Sequence, residues 1–228
     1  MDDGNGLPHR CENLLMSYDI IGDIHGHADT LEALLRMLDY RDTGGAWRHP
    51  DRQAIFVGDF VDRGPAQVQA ITIARRMVDR DLMVAATDEY EAEKDTETPS
   101  VFKAVECLTK GIELPLPDGH QFQDSYGHWR RRVRVRRWGE AATTFRRAAM
   151  LSASERAALP DSPIPASVRL GGTEKPVFFG HYWLTGTPAV QTARHACVDY
   201  SAGKGGPLVA YRFDSEPELS PERLVWVD

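Results

Sequence analysis

The chain has 228 residues, of which 42% are hydrophobic and 27% charged, and this balance is typical of a globular protein. Its length suits one large domain with a substantial core. The formal net charge of −7 disfavours nucleic acid as a general partner. No apolar stretch approaches the length of a membrane span, and three scattered cysteines favour a reducing, cytoplasmic setting over a disulfide framework.

The predicted elements begin after a polar start. Residues 1–17 open with acids rather than with a basic and then an apolar segment, so we expect a flexible tail and no secretion signal. A single domain is expected over 18–228, where we find neither an internal repeat nor a domain boundary. Its first strand is predicted at 18–22. A helix follows, because apolar residues recur at the i, i+3 and i+4 spacing of a helix with one buried face. These residues are Ala28, Leu31, Leu34, Leu35 and Leu38.

Two apolar runs end in glycine followed by an acid. The first is residues 19–26, DIIGDIHG, and the second is residues 54–64, AIFVGDFVDRG, which begins with a strand predicted at 54–58. A strand that runs into such a loop places side chains at the carboxyl edge of a sheet, where open α/β folds build their sites. Carboxylates together with an imidazole suit Mn, Fe or Zn. An arginine beside them suits phosphate, because its planar guanidinium binds two oxygens at once.

The pairing of GDIHG with GDFVDRG resembles the calcineurin-like metallophosphoesterases, and most closely their phosphoprotein-phosphatase and symmetrical diadenosine-tetraphosphatase branch. The resemblance implies an α/β fold in which two packed mixed β-sheets are flanked by helices, in four αββα layers. It also implies a hydrolase that uses one or two divalent metal ions, with manganese expected first and iron or zinc as alternatives. Metal-activated hydroxide would attack the phosphorus.

The resemblance also implies roles for residues of the two runs. Asp23, His25 and Asp59 would hold the first metal, and Asp59 would bridge to the second. Asp62 would orient a proton-donating histidine. Arg63 would clamp the phosphoryl oxygens.

A third strand is predicted at 82–86, and after it the sequence departs from the family pattern. The family has Gly-Asn-His-Glu there, whereas this chain has Ala86-Thr87-Asp88-Glu89. Thr87 stands in place of a metal-binding Asn, and Asp88 in place of the catalytic His. Asp88 is a candidate catalytic acid if its pKa is raised. The family's next motif, a strand that ends in a metal-binding His, is not recognisable. We therefore expect an internal deletion between about residue 92 and residue 100, and an incomplete domain.

The segment 128–138 is rich in arginine. Val133 and Val135 alternate with arginines, which predicts a strand with one arginine face. We expect this face to be solvated, and the alternative is a platform that binds phosphates or acidic partners. His120 and His128 are the nearby imidazoles that could replace the missing ligand. Neither lies in a recognisable motif, so a surface position is favoured for both.

The run PVFFGHYW at Pro176–Trp183 is an apolar strand that ends in Gly-His. It resembles the family's late Gly-His motif, which implies that His181 binds the second metal. A turn at 201–206 contains Lys204, a minor candidate for contact with substrate. The remaining strands are predicted at 196–200, 207–213 and 223–227. We expect these closing strands to form a second sheet against the first.

Three hypotheses about function follow from these observations. The first is a metal-dependent phosphoesterase that acts on a phosphomonoester or a nucleoside polyphosphate, so that its partner is a phosphorylated small molecule or nucleotide and not a membrane. The second is a catalytically impaired relative that keeps one metal half-site and acts as a binding module. The third, an arginine-rich protein that binds acidic partners, depends only on residues 130–137.

Overall fold

The structure is a computed structural model that describes residues 17–77, 111–124, 127–136, 138–139, 141–168 and 174–228. The predicted tail up to residue 16, the third strand with Thr87 and Asp88, and the expected deletion lie outside these ranges. The strands are β1 (Ser17–Ile21), β2 (Arg41–Asp42), β3 (Trp47–Arg48), β4 (Arg52–Phe56), β5 (Ile112–Pro115), β6 (Phe122–Gln123), β7 (Trp129–Arg130), β8 (Arg132–Val135), β9 (Val177–Phe179), β10 (His195–Cys197), β11 (Leu208–Phe213) and β12 (Leu224–Val227). The helices are α1 (Ala28–Met37), α2 (Gln67–Met77), α3 (Phe145–Ala148) and α4 (Ala153–Ala157), and short 3₁₀ turns lie at Ala166–Val168, Ala202–Lys204 and Pro221–Arg223.

The central sheet is mixed and has the strand order β12-β11-β1-β4. β1 and β4 run parallel, with Ile21 opposite Phe56, whereas β11 runs antiparallel to both β1 and β12. The two parallel strands end at the same edge of the sheet, so the loops that follow them meet there. This is the arrangement predicted from the two Gly-acid runs.

Alternating side chains of the central sheet pack into two separate cores. Ile21 of β1 and Ala210 of β11 pack with the apolar face of α1. Ile20 and Tyr211, one residue along each strand, pack on the opposite face with Ala196 of β10. A helix layer, the central sheet and a further layer with the β9–β10 pair therefore lie on one another, and the predicted α/β class with mixed sheets is confirmed.

The prediction for the closing strands is wrong for two of the three. β11 and β12 join the first sheet, and β10 alone of the three pairs elsewhere, in parallel with β9. The reason is that β11 is buried along Leu208–Tyr211, on both of its faces. A strand that is apolar on both faces needs a covered position inside a fold, and β11 finds it between β1 and β12.

The second strand lies two residues earlier than predicted, at Arg52–Phe56 instead of 54–58. Arg52 belongs to the strand because its guanidinium bonds the carboxylates of Asp19 and Asp214. The backbone leaves the strand at its other end, since Gly58 has a φ of +132°. The Gly-acid pair is therefore part of the loop and not of the strand.

The described residues between 111 and 168 form a smaller packed unit, which we call the arginine lobe. β5 and β8 pair antiparallel in it, and Val133 and Val135 of β8 are buried in a core with Phe145. The strand predicted from the arginine–valine alternation is therefore confirmed, with Arg132 on its exposed face. Among the described residues, we find no helix with the length and apolar character of a membrane span.

Candidate metal centre

The loops after β1 and β4 are joined by backbone hydrogen bonds. The amides of Ile24 and His25 both donate to the carbonyl oxygen of Asp59, at 2.8 and 3.0 Å. In return, the amide of Gly64 donates to the carbonyl oxygen of His25 at 2.8 Å. Two loops that are far apart in sequence therefore form one rigid unit at the edge of the sheet.

Three side chains from three strand ends converge beside this unit. Asp23 follows β1, Asp59 follows β4 and His181 follows β9, and one potential ligand atom of each lies within 4.8 Å of the others. His181 Nδ1 is 3.0 Å from Asp59 Oδ2 and 3.8 Å from Asp23 Oδ2. The structure thus brings together three of the four residues that the sequence proposed as metal ligands.

The fourth, His25, lies against the same carboxylate. Its Nδ1 is 2.9 Å from the carbonyl oxygen of Val61, which can only accept a hydrogen bond, so Nδ1 carries the proton. The other ring nitrogen, Nε2, is then unprotonated in the neutral ring and lies 3.7 Å from Asp23 Oδ2. A carbonyl that fixes the tautomer in this way is typical of metal-binding histidines.

The burial, hydrogen bonding and pKa of the Asp23 carboxyl group indicate whether these residues fit a cation. Asp23 is 1% exposed, and its Oδ2 makes no hydrogen bond within the described part of the chain. Burial first, and then the neighbouring charges of Asp199 and Asp59, raise its pKa from the ordinary 3.8 to about 8, although the amide of His181 donates to Oδ1 at 3.2 Å. Buried carboxylates that lack a compensating charge are costly, and a divalent cation supplies that charge. The donor set of carboxylates and imidazoles therefore fits Mn, Fe or Zn.

Two glycines make room for this carboxylate. A Cβ at Gly58 would overlap Asp23 Oδ1, and a Cβ at Gly180 would lie 2.5 Å from the same atom. Gly58 and Gly180 are therefore required because three loops approach one another closely at this point, whatever turn each glycine forms.

Several residues around the cluster have left-handed backbone conformations that non-glycine residues rarely adopt. His25 (φ 49°), Asp62 (φ 70°), Arg63 (φ 78°), His181 (φ 61°) and Trp183 (φ 51°) are in this group. Such conformations cost about 1–3 kcal/mol each and concentrate at functional sites. The backbone strain therefore marks the same loops as the ligand geometry does.

Two cations and an indole ring lie next to the cluster. The guanidinium carbon of Arg63 is 5.2 Å from the ring centroid of Trp183, and Lys204 Nζ is 3.7 Å from it. Both distances are within the range of cation–π attraction. Asp62 is exposed on the same loop as Arg63. Arg63 and Lys204 therefore lie against a ring whose centroid is 6.2 Å from that of His181.

Two residues of the site were not predicted from the sequence. Asp199 is buried, and its carboxylate accepts hydrogen bonds from the amides of Trp183 at 2.6 Å and Ser201 at 2.9 Å. Arg134, from β8 of the arginine lobe, donates through Nη1 to the carbonyl oxygen of His181. For Asp199 the available signal was an acid within an otherwise apolar strand, whereas nothing local marks Arg134 among its neighbouring arginines.

The other sequence candidates lie elsewhere. Asp88 is outside the described residues. His120 and His128 are exposed, and each approaches an acidic residue of its own turn: His120 Nδ1 is 3.2 Å from the carbonyl oxygen of Asp118, and His128 Nδ1 is 3.7 Å from Asp124 Oδ1. The surface position favoured for both histidines is confirmed.

Comparisons with known proteins agree with this geometry. Residues 16–87 match the family model described as calcineurin-like phosphoesterase. This segment, which carries both Gly-acid loops, is similar to the calcineurin-like phosphoesterases.

Named relatives match the chain over a segment of 64 residues. A bis(5'-nucleosyl)-tetraphosphatase PrpE (asymmetrical) from Oceanobacillus iheyensis is 44% identical over 64 residues, and its namesake from Halalkalibacterium halodurans is 45% identical over 64 residues. Each match covers 28% of this chain and 26% of the relative, so the chain matches about a quarter of the length of these curated relatives. A solved structure whose description names a diadenosine tetraphosphatase aligns with 97% of this chain and 95% of its own, at 20% identity and a TM-score of 0.46.

Proposed function

We propose that this chain is a metal-dependent phosphoesterase that hydrolyses a nucleoside polyphosphate, or a simpler phosphomonoester, at the cluster of Asp23, Asp59 and His181. The observation that carries the proposal is the buried Asp23 carboxylate, which shares a site with two further ligand-type side chains and has exposed cations beside it. We also propose that it works in the cytoplasm, as its few cysteines indicate.

Each residue has a role in this proposal. Asp23, His25 through Nε2, and Asp59 would hold one divalent ion, and Asp59 and His181 would hold a second. Bound metal of this type lowers the pKa of water and neutralises charge that develops on the phosphoryl oxygens. The metal is manganese in the first instance, with iron or zinc as alternatives.

The remaining residues act on the substrate. Arg63 binds the phosphoryl oxygens with its planar guanidinium. Asp62 orients the group that protonates the leaving oxygen, and Asp88 is the proposed donor. Nucleoside polyphosphates are the proposed substrate class because the matched relatives are named as bis(5'-nucleosyl)-tetraphosphatases.

The alternative is a catalytically impaired relative that binds one metal and acts as a binding module. It is supported by the small donor set, since Asp23, Asp59 and His181 are the one group of three ligand-type side chains within the described ranges. Under this alternative the chain binds metal and phosphate without turnover.

Hydrolysis assays with Mn²⁺ test the proposal. The substrates are p-nitrophenyl phosphate and diadenosine tetraphosphate, and the variants are Asp59→Asn and, as a control of equal charge change, Asp51→Asn at an exposed position. We expect Mn²⁺-stimulated release of product by the wild type and by Asp51→Asn, and none by Asp59→Asn. Metal binding without turnover of either substrate would instead establish the binding module.

A further inference from the structure

A cleft of about 810 Å³ opens between the candidate metal centre and the arginine lobe. His181 and Trp183 line it on the side of the metal centre. The opposite wall carries the arginines of the segment 130–134, namely Arg130, Arg131, Arg132 and Arg134. Its volume lies within the range of about 300–1,000 Å³ that is usual for small-molecule sites.

The alternation of β8 explains why arginines face this cleft. Val133 and Val135 are 1% and 0% exposed, because they pack into the core of the arginine lobe. Successive side chains of a strand point to opposite faces, so Arg132 and Arg134 project from the other face. The arginine face that the sequence placed in solvent is therefore one wall of a concave site that also contains His181.

The wall has more positive charge than its own acids neutralise. Arg130 Nε is 2.8 Å from Asp124 Oδ2, and Arg134 Nη2 is 3.0 Å from Glu113 Oε1. Within the described part of the chain, neither Arg131 nor Arg132 has an acidic partner.

Among the described residues, Arg132 donates to one acceptor, the backbone oxygen of Glu113, at 2.9 Å. The guanidinium of Arg131 makes no hydrogen bond or ion pair with any residue in the described ranges. Two uncompensated guanidinium groups in a cleft attract an anion, and their fork geometry matches phosphate oxygens.

We propose that this cleft binds the part of a nucleoside polyphosphate that extends beyond the phosphorus at the metal centre. Arg131 and Arg132 bind the oxygens of the phosphate chain. Trp129, which lines the same cleft and is 63% exposed, stacks with the distal base. The proposal rests on the proposed function for the choice of substrate, and it adds a specificity site that favours polyphosphates over monoesters. Because these arginines lie in a concave cleft shared with His181, a small anionic ligand suits them better than an acidic protein surface.

The first test measures binding without metal and without turnover. Isothermal titration calorimetry in EDTA measures the affinity for sodium tripolyphosphate and for diadenosine tetraphosphate. The proteins are the wild type, the double variant Arg131→Gln/Arg132→Gln and the single variant Arg131→Gln. A control, Arg41→Gln/Arg75→Gln, removes two exposed arginines away from the cleft. We expect binding about tenfold weaker in the single variant, as for loss of one charge-assisted hydrogen bond, and weaker still in the double variant. The control keeps the wild-type affinity.

The second test measures Mn²⁺-dependent hydrolysis by the same variants. We expect KM for diadenosine tetraphosphate to rise about tenfold or more in Arg131→Gln/Arg132→Gln, with kcat/KM for p-nitrophenyl phosphate unchanged, because the monoester does not reach the cleft. Circular dichroism melting curves confirm that each variant is folded.

The outcomes separate this proposal from the proposed function. Arginine-dependent binding of tripolyphosphate without hydrolysis supports the cleft and overturns the enzyme. Hydrolysis of diadenosine tetraphosphate that is unaffected by the double variant overturns the cleft and leaves the enzyme in place. A wild type that binds neither ligand, or that binds a poly-glutamate peptide more tightly than tripolyphosphate through the same arginines, also overturns the cleft proposal.

Discussion

Replacing Asp23 by asparagine should stabilise the metal-free protein and abolish its stabilisation by metal. The side chain is buried, and its Oδ2 makes no hydrogen bond within the described residues. Asparagine has the same shape and keeps an oxygen that can accept the hydrogen bond that the amide of His181 donates to Oδ1. The substitution therefore removes the charge and leaves the packing as it is.

The magnitude follows from the pKa of Asp23, which is raised from 3.8 to about 8, mainly by burial. Between these two pH values the folded chain binds a proton that the unfolded chain has lost, so the free energy of unfolding falls as the pH rises. The slope is at most about 1.4 kcal/mol per pH unit. The free energy of unfolding of the metal-free wild type should be lower than that of Asp23→Asn by on the order of 2 kcal/mol at pH 5 and about 4 kcal/mol at pH 7.

Urea unfolding followed by tryptophan fluorescence, in EDTA at about pH 5 to 8, measures this difference. We expect the stability of the wild type relative to the variant to fall as the pH rises, whereas Asp51→Asn should follow the wild type. Mn²⁺ at about 100 times its Kd should raise the free energy of unfolding of the wild type by about 2.7 kcal/mol. It should raise that of Asp23→Asn by almost nothing. The reasoning is refuted if the variant is no more stable than the wild type in EDTA at pH 7, or if Mn²⁺ stabilises both proteins equally.

Three further substitutions test other parts of the structure. Arg134→Met should lower the affinity for Mn²⁺ by about 10–100-fold, because it removes the hydrogen bond to the carbonyl oxygen of His181. Titration calorimetry measures this affinity, and an unchanged value would contradict the expectation. Arg52→Met should destabilise the fold by about 3 kcal/mol in urea, since it removes the guanidinium 3.0 Å from the buried Asp19 carboxylate and leaves that of Arg212, whose Nε is 3.4 Å away. A loss below about 1 kcal/mol would count against a stabilising ion pair between Arg52 and Asp19. Leu35→Ala should lower the free energy of unfolding by about 2–5 kcal/mol in the same assay, because this fully buried side chain of α1 packs on the central sheet. A negligible decrease would place Leu35 outside the core.

Local sequence was sufficient to predict the two Gly-acid loops. In each, an apolar strand, a glycine and an acid are adjacent in sequence, and the parallel pairing of β1 with β4 then brings Asp23 and Asp59 to one edge. The glycines fit the same explanation, because a Cβ at Gly58 would overlap the Asp23 carboxylate. What a short stretch of chain determines by itself was therefore predictable.

The position of each closing strand was not predictable in the same way. The apolar character of β11 on both faces indicates burial, but it does not say whether the strand lies in the first or the second sheet. That choice depends on which neighbours can pair with it, and these are β1, almost two hundred residues earlier, and β12. Pairing partners that are distant in sequence leave little local signal.

The roles of Asp199 and Arg134 were missed for a related reason. Both act on the backbone around the late Gly-His motif: the Asp199 carboxylate accepts from the amide of Trp183, and Arg134 donates to the carbonyl oxygen of His181. Such contacts recognise backbone groups, which are the same in every residue, so neither partner shows a distinctive residue pattern.

These two contacts also connect the two halves of the site. His181 has a left-handed backbone with φ 61°, and Trp183 has one with φ 51°, so this loop needs support from outside itself. Arg134 supplies it from the arginine lobe, and the same guanidinium is held by Glu113 on the wall of the cleft. An anion in the cleft would compete with Glu113 for Arg134, because both offer negative oxygens to one guanidinium. Occupation of the cleft and the position of the His181 imidazole are therefore linked through Arg134. If His181 binds metal as proposed, the affinity for Mn²⁺ should change when tripolyphosphate is bound in the wild type but not in Arg134→Met.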